Sequence, residues 1–148
     1  MLRFIVMLGL FCLTLSAAKA AETKPSAEET AVRKVLNDQV AAWNKGDLDG
    51  FMAGYWNSEE LTFYSGKDKQ LGWAKTLERY QKRYQSDGKE MGQLAFAELE
   101  VQTLSPEYAI VKGRFKVELK KETLEGLFTL VMKKMDRGWV IVHDHTSS

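Results

Sequence analysis

Cysteine is almost missing from this chain: its 148 residues hold a single thiol, Cys12. Proline and histidine occur twice each. Neither sign of charge is in excess, since 21 Lys and Arg meet 20 Asp and Glu for a net of +1. One thiol excludes a disulfide scaffold and a cysteine metal centre. The even charge argues against a nucleic-acid partner, and no run of like charge marks a tail. Hydrophobic residues make up 45% of the chain, which is ordinary for a globular protein and excludes a collagen-like array or a disordered chain. The length allows one compact domain. Several signatures are also missing: a Walker loop, a dinucleotide-binding glycine pattern after a strand, a G-x-S-x-G elbow and an H-E-x-x-H helix.

What is present begins with an address. Met1-Leu2-Arg3 is a short positive start, Phe4 to Leu15 is almost wholly apolar, and small residues stand at Ala18 and Ala20. This is the plan of a secretory signal peptide, with cleavage expected after Ala20. The apolar run is shorter than the roughly 20 residues needed to span a bilayer, and Lys19 closes it. Leu10-Phe11 before Cys12 do not suit a lipoprotein signal. Cleavage removes the only cysteine, together with Arg3 and Lys19 and no acid, and turns the net charge to −1. The mature protein is expected to be periplasmic or secreted, with no membrane attachment. Residues 21–25 read as a linker and 26–148 as one domain.

The domain opens with helices. Ser26 followed three residues on by Glu29 is a capping box. Val32, Val35, Leu36, Gln39, Val40 and Trp43 then recur at spacings of three and four and share a face. Gly46 stops this helix, and Asp47 caps a short one that buries Leu48, Phe51, Met52 and Tyr55. Leu61 to Tyr64 is a short strand-like run. Trp73, Leu77, Tyr80 and Tyr84 give a third helix with an aromatic stripe.

The period then changes to two. Strands are expected over residues 95–103, 109–119, 124–135 and 139–146, separated by turns at Ser105-Pro106-Glu107 and Asp136-Arg137-Gly138. Helices first and strands after make an α+β protein with three N-terminal helices on one face of an antiparallel meander. Strands of about ten residues favour strong twist. A curled sheet closed by three helices is a cone with a pocket at its open end. Leu124 to Met135 is apolar on both faces, which points to a homodimer through the outer face of the sheet.

Trp43-Asn44-Lys45-Gly46-Asp47-Leu48-Asp49-Gly50-Phe51, Gly72-Trp73 with Arg79-Tyr80 and Arg83-Tyr84, and the two closing strands carry a resemblance. The closing strands read Gly126-Leu127-Phe128-Thr129-Leu130 and Gly138-Trp139-Val140-Ile141-Val142-His143-Asp144-His145-Thr146-Ser147. Together these stretches resemble the SnoaL-like, or nuclear transport factor 2-like, superfamily over nearly all of the mature chain. The His-Asp-His-Thr-Ser ending looks like a small branch related to the association domain of calmodulin-dependent kinase II. The resemblance implies a cone-shaped, cystatin-like α+β fold, a dimer, and a pocket between sheet and helices. It implies no particular reaction, because the superfamily holds isomerases, dehydratases, cyclases, epoxide hydrolases and modules without catalysis.

Candidate site residues follow from chemistry. His143 and His145 are two apart on a strand and share a face, with Asp144 opposite. They are read as general acid/base groups, as ligand contacts, or as buried structural imidazoles. A metal would need a third ligand that no near neighbour supplies on that face, so neither metal nor cofactor is expected. Tyr64 joins the two histidines as a catalytic candidate. Ligand contacts are assigned to Trp43, Tyr55, Trp73, Tyr80, Arg114, His143 and His145, with Arg114 available to grip a carboxylate or phosphate. Catalytic relatives use a carboxylate base with a tyrosine donor opposite. Here the candidates for that base are Glu98, Glu100 and Glu118, each more often an exposed strand residue. Three functions stay open: an exported protein that binds a small apolar or anionic ligand; a cofactor-free lyase, isomerase or hydrolase using His and Tyr; and an association module without catalysis.

Overall fold

A computed structural model describes residues 24–147, so the signal sequence and its cleavage site lie outside the described residues. Three helices, α1 (Ala27–Trp43), α2 (Leu48–Met52) and α3 (Trp73–Tyr84), pack on a six-stranded sheet. The strands are β1 (Thr62–Ser65), β2 (Asp68–Leu71), β3 (Gln93–Thr103), β4 (Tyr108–Glu118), β5 (Thr123–Met135) and β6 (Gly138–Ser147). Their order across the sheet is β2-β1-β6-β5-β4-β3.

The caps form as their residue types dictate. Ser26 Oγ accepts the Glu29 N–H at 3.0 Å, and Asp47 Oδ1 accepts the Gly50 N–H at 2.8 Å. On α1 the buried face is Val32, Leu36, Gln39 and Trp43, with Val35 and Val40 at its margins. Trp43 is anchored by its indole N–H, which donates to the Met91 carbonyl at 2.8 Å. Asn44, just past α1, behaves like one residue of a strand. Its Oδ1 accepts the Leu94 N–H at 2.7 Å and its Nδ2 donates to the Leu94 carbonyl at 3.0 Å. This pair fixes the start of β3 against the end of α1.

Strands β3 to β6 form the antiparallel meander. The sheet as a whole is mixed rather than antiparallel, because β1 lies parallel to β6. The link that allows this is the α3-containing segment between β1 and the meander. The short β2, with its exposed and charged Asp68-Lys69, carries too little apolar pattern to be read from sequence.

Two bulges bend the sheet. On β3, Glu98 and Leu99 lie where β4 offers only Gly113, and Glu98 takes a φ of +53°. On β6, Val142 has no partner, since Val131 pairs with His143 and Met132 with Ile141. Each inserted residue adds twist and flips the side-chain parity beyond it. The inner face therefore carries Leu94, Phe96, Leu99 and Val101 on β3, and Trp139, Ile141, Asp144 and Thr146 on β6. Gly113 opposes the β3 bulge, and a Cβ there would meet the Phe128 ring at 2.7 Å and Leu99 at 2.9 Å. A glycine here leaves room for the Phe128 ring beside the bend.

Candidate functional site

The concave side of the sheet and the three helices enclose a cavity of about 130 Å³. Aromatic rings form much of its wall. Trp43 meets Phe51 at 4.9 Å and Tyr84 at 4.8 Å between ring centroids, both edge-to-face. Phe51 meets Tyr80 at 5.3 Å, and Phe96 meets Phe128 at 5.1 Å. Leu94, Phe115, Val117, Leu124, Leu130 and Ile141 complete the apolar lining.

One ionisable group stands deep in this wall. Asp144 is buried in the middle of the sheet, paired in register with Phe63 on one side and Leu130 on the other. Its Oδ2 accepts the Tyr55 hydroxyl at 2.8 Å and its Oδ1 accepts the Thr146 hydroxyl at 2.7 Å. Burial raises the carboxyl, and the two hydrogen bonds oppose that only in part, so its pKa stands at about 6. Burial is also the main reason the Tyr55 and Tyr80 hydroxyls are held above their usual range, and the Asp144 charge adds to both.

Tyr55 reaches Asp144 because the backbone after α2 docks on β6 beside the bulge. Trp56 N–H donates to the Ile141 carbonyl at 2.9 Å, and Ile141 N–H donates to the Gly54 carbonyl at 2.9 Å. On its other side Gly54 lies close to α1, where a Cβ would press on the Gln39 side chain at 2.7 Å. Gln39 is itself fixed by donating to the Phe51 carbonyl at 3.0 Å.

The residue pattern, the cone and the closing strands are those of a known domain, and the family model described as a SnoaL-like domain matches residues 32–148. The chain belongs to the SnoaL-like family. A similar solved structure is an NTF2-like protein of unknown function from Shewanella oneidensis MR-1, at 40% identity and a TM-score of 0.76, covering 80% of this chain and 98% of that one. A domain of unknown function with a cystatin-like fold from Nostoc punctiforme PCC 73102 matches at 25% identity and a TM-score of 0.68, covering 84% of this chain and 78% of that one. A ketosteroid isomerase-like protein from Erwinia carotovora atroseptica SCRI1043 shares the fold at 18% identity and a TM-score of 0.62, over 82% and 95% of the two chains. No curated protein matches this SnoaL-like chain.

Of the residues assigned to the ligand from sequence, Trp43, Tyr55 and Tyr80 line the cavity of this SnoaL-like domain. The others stand elsewhere. Trp73 packs beside α2 and donates its indole N–H to the Met52 carbonyl at 3.0 Å. Arg114 is on the outer face of the sheet, paired at 3.0 Å with Glu98, which the β3 bulge carries outward. Glu100 and Glu118 are exposed as well and pair with Lys112 and Lys116. None of the three glutamates is the pocket carboxylate.

His143 and His145 do share a face, but it is the outer one, because the bulge at Val142 turns Asp144 inward. They form a cluster there with Tyr64, whose ring meets His143 at 5.0 Å and His145 at 6.0 Å. Thr62 Oγ1 lies 2.5 Å from His143 Nδ1. Partial burial, and next the neighbouring His145, lower the His143 pKa. Among the described residues no group of three or more His, Cys, Asp or Glu stands together as metal ligands.

Asp144, Thr146, Arg79 and Arg83 were missed as site residues. An Asp on the strand face opposite both histidines is the one signal that was available for Asp144.

Proposed function

We propose that this is an exported protein of the NTF2-like superfamily that takes a small, largely apolar molecule into the cone and reads one polar group of it with Asp144. The observation that carries the reading is a single buried carboxylate in a largely apolar cavity. A site of about 130 Å³ is close to the size of engineered apolar cavities that admit one benzene ring. The N-terminal pattern of residues 1–20 supports export. A second copy docking on the outer sheet face is supported by half-exposed Leu127 and by the alternating charge pairs around Arg114, which are self-complementary in sign.

The test is a titration of the mature chain with 2-phenylethanol, followed by amide chemical shifts. Saturable shifts at Phe51, Tyr80 and Phe128, lost in Phe128→Trp where the indole fills the space, support the reading. No saturable shift in the wild type overturns it.

Asp144 also supports proton transfer as the activity of the pocket. A carboxyl titrating near 6 is matched to taking a proton at neutral pH. Tyr55 already donates to this carboxylate and would hold it in place. Incubating small enolisable ketones with the protein in deuterated water reads this directly. Exchange at the α-carbon that vanishes in Asp144→Asn supports it, and exchange equal in the two proteins overturns it.

A further inference from the structure

The cavity has a second charged feature, at its mouth. On α3 the inward stripe of Tyr80 and Tyr84 is preceded, one residue earlier at each turn, by Arg79 and Arg83, and all four line the cavity. Arg79 is held at the rim by Asp68 at 3.1 Å. Arg83 lies with its guanidinium 5.6 Å over the Tyr84 ring. Among the described residues no carboxylate lies within ion-pair distance of Arg83.

Beside this rim lies a groove of about 730 Å³ that shares Arg83, Tyr84 and Leu124 with the cavity. The end of α3, the loop before β3 and the turn between β4 and β5 wall it. Lys82, Arg83, Lys89, Lys120 and Lys121 line it against Glu90 and Glu122. Glu90 is already engaged by Lys120, through its backbone N–H at 2.6 Å and its ammonium at 3.5 Å. Lys82 pairs with Glu78 at 2.6 Å. The C-terminal end of α3 contributes about half a negative charge, and the groove stays positive.

Cavity and groove together make a polarised site. Apart from the two rim arginines, Asp144 is the only charged group lining the cavity. An anionic group cannot settle beside it, since like charges repel strongly where water is excluded. At the mouth the sign is reversed, and the Arg83 guanidinium beside the Tyr84 ring has paired N–H donors to offer a carboxylate. An ammonium would suit Asp144 but must cross the cationic collar to reach it. From this pattern we infer that the ligand is an amphiphilic organic acid, its apolar body in the cavity with an uncharged polar group at Asp144, and its carboxylate at the mouth on Arg83, with Lys89 and Lys121 steering it. This rests on the pocket reading above and adds the ligand's class and orientation.

The test compares three molecules with one apolar body: phenylacetate, 2-phenylethanol and 2-phenylethylamine, each titrated calorimetrically into the mature chain. At low salt, phenylacetate is expected to bind about tenfold tighter than the alcohol, the effect of one good charge-assisted hydrogen bond. The preference should shrink towards parity near 1 M salt, where the screening length is about 3 Å. Arg83→Gln with Lys121→Gln should remove most of it while the variant keeps a wild-type melting transition. Lys34→Gln, on the far side of α1, should leave it intact. Equal affinity for acid and alcohol, preference for the amine, or a preference that survives the double variant overturns the inference and leaves the pocket reading standing. If none of the three binds, the pocket reading itself fails and the inference falls with it.

Discussion

Tyr55 donates its hydroxyl to Asp144 Oδ2 at 2.8 Å, joining the segment after α2 to the centre of β6 across 89 residues of chain. With the Thr146 hydroxyl on the other oxygen, it holds a carboxylate where burial alone would favour the neutral acid. The fold thus keeps an ionisable group in the cavity wall at a place that disfavours its charge.

Asp144→Asn tests this through stability. The native pKa of about 6 lies above the ordinary Asp value of 3.8. Between those values the native state holds a proton that the unfolded chain has lost, so this group's contribution to stability is full below about pH 4 and is lost as pH rises through 6. The full effect is of order 3 kcal/mol, since each pKa unit is worth about 1.4 kcal/mol. Urea unfolding of Asp144→Asn should lose this part of the pH dependence and gain about 1–3 kcal/mol at pH 8. Both hydroxyl partners can rotate to suit an amide. An unchanged slope between pH 4 and 6 would contradict the assignment.

Tyr55→Phe removes a donor that favours the charged form over the neutral one. The Asp144 pKa should rise further, and stability at pH 8 should drop by about 1.5–3 kcal/mol, as for a hydrogen bond to a charged group. At pH 4 the loss should be smaller. The carboxyl carbon shift of Asp144, followed by NMR across the pH range, reads the first effect. A pKa equal to wild type would show that the hydroxyl does not govern the carboxylate.

Asn44→Ala removes both hydrogen bonds that tie α1 to Leu94. It should cost about 2–4 kcal/mol, because the Leu94 N–H and carbonyl lose partners in a half-buried place. Chemical denaturation gives the value. A loss below about 0.5 kcal/mol, typical of a surface change, would mean that β3 is positioned by its sheet partners alone.

The outer cluster should be silent towards the cavity. His143→Gln, His145→Gln and Arg114→Gln are each expected to leave the affinity for 2-phenylethanol within about twofold, as for surface changes worth about 0.5 kcal/mol. Titration of each variant checks this. A tenfold loss in any of them would return the outer face to the site.

Much of the architecture was legible in residue order. Apolar residues at spacings of three and four, with Ser26 and Asp47 as caps, mark the helices because capping and burial are local rules. The Trp73-Leu77-Tyr80-Tyr84 stripe marked α3, and two of its members, Tyr80 and Tyr84, line the cavity. The parallel docking of β1 on β6 was not legible, since it joins segments about 80 residues apart and β1 has only four residues. Nor was the passage of Gly54 and Trp56 alongside Ile141, which brings Tyr55 to its partner. That contact is made by backbone groups, and backbone groups leave no pattern in sequence.

Residue order alone determined that His143 and His145 share one face of the last strand and that Asp144 takes the other, because side chains alternate along any strand. It also determined the helices, the α+β class and the supply of aromatic residues for a core. Only the tertiary structure decided which of the two faces looks into the cavity. Simple alternation from the buried Trp139 and Ile141 would carry both histidines inward. The unpaired Val142 inserts one residue, and with a period of two one residue inverts the remainder of the strand. The bulge is stable because the sheet must bend to close around α1 and α3, a requirement of the assembled fold that no stretch of residues states by itself.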